Sequence, residues 1–128
     1  MSNVAARICV LGAALLALSG CHRSKGQADA HAALLERAFP GLASAPEQSS
    51  ADGGPKAYVR AAIQAERQDD LAAAAILLKR AARTPGMTPA QVAAVLETKS
   101  AWVQELAARA ERGDERAKAG LAALSSAR

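Results

Sequence analysis

Aromatic side chains are nearly missing from this chain: Phe39, Tyr58 and Trp102 are the only ones in 128 residues. Any core must therefore be built mainly from Ala, Leu and Val. Histidine occurs twice, at His22 and His31, and cysteine twice, at Cys9 and Cys21. Past residue 21 there is no thiol for a disulfide, a redox couple or a thiolate metal site. Serine is present but lacks support: no histidine stands near Ser49-Ser50 or Ser125-Ser126, and neither pair sits in a strand–turn–helix pattern. Gly53-Gly54 runs into a proline-started helix, not into the lysine of a phosphate loop. Glu66, Asp69 and Asp70 share a helical spacing, but capping and a solvated turn account for them better than a bound cation. These absences exclude the usual enzyme classes. We expect no catalytic residue, no cofactor, no metal and no small-molecule substrate. Lys plus Arg number 16 against 12 for Asp plus Glu, a net charge of +4, which is too small an excess to point to nucleic acid.

Long apolar runs are scarce as well. The longest, Ile8 to Leu18 (ICVLGAALLAL), has eleven residues, well short of the roughly 20 needed to span a bilayer. Arg7 precedes it, and Leu18-Ser19-Gly20-Cys21 follows before the composition turns polar. A basic start, a short apolar stretch and small residues before a cysteine form an export leader. This arrangement resembles the lipoprotein signal peptide of bacteria, whose motif is Leu, two small residues and Cys. The resemblance covers residues 1–21. It implies cleavage before Cys21, a diacylglyceryl thioether on its sulfur and an N-acyl chain on its amino group. Several acyl chains, at about 0.8 kcal/mol per buried methylene, hold a protein firmly where one holds it marginally. His22 departs from the aspartate that retains such proteins in the inner membrane, so the resemblance implies an outer-membrane anchor facing the periplasm.

Cleavage would leave 108 residues, enough for one small domain. Residues 21–54 read as a lipidated, mostly disordered tether, because residues 41–54 (GLASAPEQSSADGG) have a linker composition. Within it, residues 28–39 form a candidate short helix, with Leu34, Leu35, Ala38 and Phe39 at helical spacing and Pro40-Gly41 to stop it. Such a helix has three fates: docked on the domain, disordered, or lying on the membrane.

Residues 55–128 read as an all-α domain of three to four helices. Pro55 suits a first helical position, so a helix is expected over 55–68, with Tyr58, Val59, Ala62 and Ile63 inward. Asp70 caps a second helix over 71–83 that is apolar around most of its circumference, which makes it the central one. Lys79, Arg80 and Arg83 near its end complement the helix dipole, and they could also meet an anionic partner. Thr88-Pro89-Ala90-Gln91 is a capping box with proline at the first position. It opens a long helix over 89–112 with an apolar stripe through Val92, Val95, Leu96, Trp102, Val103, Leu106 and Ala110. Gly113 and Asp114 separate that helix from a last one over 115–125, in which Gly120 costs about 1 kcal/mol against alanine.

Tyr58, Ala62, Leu71, Ala74, Leu78 and Ala81 follow the pattern of aromatic, small and large residues in a two-helix hairpin, and Pro85 falls near its close. Over about residues 58–86 the hairpin resembles a tetratricopeptide repeat. The pattern does not repeat further along, so it implies an αα-hairpin and no stacked array. The expected role is a lipid-anchored, periplasm-facing protein-interaction module. Its partners are the membrane, through the anchor, and an unidentified periplasmic protein or a second copy. A structural envelope lipoprotein and a pilotin-like secretin chaperone are the alternatives. Trp102, with its large apolar body and single N–H, and Ile76 and Leu77, on the flank of the central helix, are the candidate partner contacts. Trp102 as the largest core residue is the competing assignment.

Overall fold

A computed structural model describes residues 25–42 and 54–127, with side chains from Ala30 onward. Cys21, the leader before it, His22 and residues 43–53 of the expected tether lie outside the described residues. Those described form five α-helices and no strand: α1 (Lys25–Ala38), α2 (Pro55–Arg67), α3 (Leu71–Arg83), α4 (Pro89–Glu111) and α5 (Glu115–Ser126). The described residues are all-α, as expected: residues 55–127 hold four helices, within the three to four expected there, and the fifth, α1, comes from the stretch read as tether.

Local chemistry sets the boundaries. Pro55 opens α2, where a missing N–H costs nothing. The Asp70 side chain accepts from Ala73 N at 3.0 Å and starts α3. At α4 both halves of the capping box are made: Gln91 N donates to Thr88 Oγ1 at 3.2 Å, and Thr88 N to Gln91 Oε1 at 2.9 Å. Asp114 accepts from Arg116 N and Ala117 N to start α5.

Two helix ends close in the same way. Gly113, at φ 92°, ends α4, with Gly113 N bonded to Ala110 O and Asp114 N to Arg109 O. This is the double closure that a left-handed residue permits. The end of α2 repeats it one for one: Asp69 N bonds Glu66 O and Asp70 N bonds Ala65 O. Here the left-handed residue is Asp69, at φ 60°, the only described non-glycine with positive φ.

The central helix is α3, which packs against α2, α4 and α5. Leu71, Ala74, Ala75, Leu78 and Ala81 are buried along it. The core joins them to Val59, Ala62 and Ile63 of α2 and to Ala94, Val95, Trp102 and Leu106 of α4. Three further core residues come from before Pro55. Leu35 is fully buried, Phe39 is 1% exposed and Leu42 is 6% exposed. The candidate helix over 28–39 is thus α1, which starts three residues earlier and packs on α4. Its end is fastened twice. Gln91 Nε2 donates to Ala38 O at 3.1 Å, and Arg60 Nε donates to Leu42 O at 3.3 Å. Leu35 and Phe39 each gain about 1.5–3 kcal/mol by leaving water, which carries a helix too short to stand alone. The packed body therefore reaches back to α1, and the polar stretch before Pro55 includes part of the core.

Candidate functional site

An open, mainly apolar groove of about 630 Å³ lies between α3, α4 and α5. On α4 it is lined by Leu96, Lys99, Ser100, Val103 and Gln104, on α5 by Leu121, Leu124 and Ser125, and on α3 by Lys79. Leu96, 44% exposed, is the only large hydrophobic among the described residues that faces water. The geometry of α4 explains this. Val95, Thr98, Trp102 and Leu106 are buried and recur every three or four residues, which makes one face. Leu96 and Val103 stand seven residues apart, about 10 Å along the axis, on the neighbouring face. The expected inward stripe was too wide for one contact surface, and Leu96 is corrected from core to groove.

The groove is electrostatically one-sided. Its only charged lining residues are Lys79 and Lys99. Lys79 Nζ donates to Leu124 O at 3.5 Å and to Ala127 O, so it closes the end of α5 instead of standing free for an anion. Lys99 is half-buried and makes no ion pair among the described residues.

The sequence-derived contacts fall in different places. Trp102 is 1% exposed and belongs to the core. Neither its Nε1 nor the hydroxyl of Thr98, one turn earlier and fully buried, finds a hydrogen-bond partner among the described residues. Ile76 and Leu77 are half-buried on α3, and Leu77 packs against the core cluster. None of the three lines the groove. Leu96 was missed because a solvent-facing leucine beside a buried valine has no sequence mark of its own.

A second, polar cleft of about 90 Å³ lies where the α2–α3 turn meets α4 and α5. Its carboxylates are committed. Asp70 and Asp114 cap α3 and α5, while Asp69 takes a two-pronged bond from Arg109, with Nη2–Oδ1 at 3.1 Å and Nη1–Oδ2 at 3.3 Å. Arg109 Nε also bonds Glu105 Oε1 at 3.0 Å. The Asp69 bond, helped by Glu105 and opposed by partial burial, raises the guanidinium above its already high ordinary pKa.

This pair explains why an aspartate stands where helix ends prefer glycine. A left-handed non-glycine residue costs on the order of 1 kcal/mol, and a bidentate charged contact offsets it. Arg109→Ala should lower stability in urea unfolding by about 1 kcal/mol. Asp69→Gly should be near neutral in the native background but stabilising by about 1 kcal/mol when combined with Arg109→Ala. An Asp69→Gly effect equal in both backgrounds would show that the pair does not hold the turn.

No family model, no curated protein and no solved structure matches this chain.

Proposed function

We propose that this chain is a lipid-anchored helical interaction module of the cell envelope that binds another protein and catalyses nothing. The anchor rests on Leu18-Ser19-Gly20-Cys21 behind the apolar run that ends at Leu18. The binding role rests on one observation, the groove with exposed Leu96 and unpaired Lys99. Its best-fitting occupant is an amphipathic helix of a partner protein carrying a carboxylate beside its apolar stripe. Leu96 to Val103 gives two turns of apolar wall, the length over which a docked helix places anchors at i, i+3 or i+4 and i+7. Lys99 supplies the positive edge that such a carboxylate would meet. A small apolar ligand is a poorer match, because it would need most of its surface enclosed and this trough lies open along one side.

The test has two parts. In cells, Cys21→Ala should abolish incorporation of a clickable fatty acid and release the protein from the membrane fraction. A photo-crosslinking residue at Leu96 should give one discrete adduct that Lys99→Glu weakens at least fivefold, while the same residue at Ala61, exposed on α2, gives none. Equal adducts at both positions, or none at Leu96, would remove the groove from the function. Unchanged acylation of Cys21→Ala would remove the anchor.

A further inference from the structure

We infer that docked α1 is a strap that holds the domain against the membrane, so that the working leash is the short segment before Lys25 and not the whole of residues 21–54. This inference rests on the proposed anchor at Cys21. Four peptide steps separate Cys21 from Lys25, which span at most about 14 Å. From Lys25 to Ala38 the chain is helix, and that helix is packed on the body from Leu34 onward. Leu35 and Phe39 are shut off from solvent, and the helix end is bonded to both α4 and α2 through Gln91 and Arg60. Because the chain has already reached the packed body at α1, the residues that follow Leu42 add nothing to the distance between anchor and domain. Were α1 not docked, 34 steps would separate Cys21 from Pro55, and a flexible coil of that length reaches roughly 30–35 Å root-mean-square. Docking thus shortens the flexible part of the stand-off from 34 peptide steps to four.

The position of an added linker separates the two leashes without disturbing any packed residue. The same 20-residue Gly-Ser insert is placed either between Ser24 and Lys25 or between Gln48 and Ser49 of the full acylated protein. The protein carries a dye on Ala61→Cys and sits in vesicles of neutral phospholipid with a headgroup acceptor. Energy transfer should fall at least twofold for the first insert and stay within error of the native chain for the second. A third variant, Leu35→Asp with Phe39→Asp, should behave like the first insert, with hydrogen exchange showing α1 released and α3 still protected. Equal falls for both inserts would overturn the strap while leaving the anchor intact. A native chain that does not stay on the vesicles would overturn both.

Discussion

Trp102→Ala should cost about 3–5 kcal/mol, the usual range for emptying a large aromatic site in a core. That is a third or more of the stability of a domain this small. Trp102 is the largest of the fully buried side chains, and the core it belongs to includes Ala62, Ala74, Ala81, Ala94 and Ala117. Alanines cannot reach across to refill the space, so the cavity should persist. One term works the other way. The indole N–H has no partner among the described residues, and a buried unsatisfied donor costs about 1–3 kcal/mol, so the loss should sit near the lower end of the range. The same reasoning gives Thr98→Val the opposite sign: it keeps the shape, removes an unpaired buried hydroxyl and should stabilise by about 1 kcal/mol. Urea unfolding followed by far-UV circular dichroism reads both. A Trp102→Ala midpoint close to native would mean that the indole does not hold α4 in the core. Contact of Trp102 with a partner would require α4 to part from its neighbours first.

Gly120→Leu should destabilise by about 3 kcal/mol, although leucine is much the better helix former. A Cβ built on Gly120 would lie 2.8 Å from the Cβ of Ala72 and 3.7 Å from Leu106 Cδ2. The Ala72 methyl is fixed to the backbone of α3 and cannot swing aside, so any side chain at 120 pushes α5 off α3. Overpacking of this kind costs about 1–3 kcal/mol, occasionally more. Even Gly120→Ala should be a net loss: its helical gain of about 1 kcal/mol is set against a contact shorter than real Cβ atoms show. Ala72→Gly should restore space, so the double variant Ala72→Gly with Gly120→Ala should regain most of what Gly120→Ala loses. Stabilisation by Gly120→Ala alone would show that α5 does not approach α3 so closely.

The helix boundaries were legible in the sequence because capping is local. Thr88 and Gln91 satisfy each other three residues apart, Asp70 and Asp114 reach N–H groups two or three residues ahead, and Pro55 needs only its own ring. Nothing distant is required, so the α2, α3, α4 and α5 boundaries expected from these signals lie within a residue of those observed. The central place of α3 was legible for a related reason: a helix apolar around most of its circumference has to be covered from several sides.

Tertiary packing decided the rest. The run Leu34, Leu35, Ala38, Phe39 is the same string of residues whether α1 docks, floats or lies on a bilayer; the choice fell to a site on α4 and α2 whose Gln91 and Arg60 donate to the carbonyls at its end. Val95 and Leu96 are equally apolar neighbours on one stripe, and only the way α4 packs against the other helices buries the first and leaves the second open to the groove. Gly120 weakens an isolated helix, yet the approach of α3 makes it the residue that fits. Asp69 adopts a left-handed backbone that it would not favour alone, held there by Arg109 forty residues further along the chain. Signals completed within one turn can be read from sequence, whereas each of these four depends on an atom contributed by another helix, whose position follows from the energy of the whole assembled bundle.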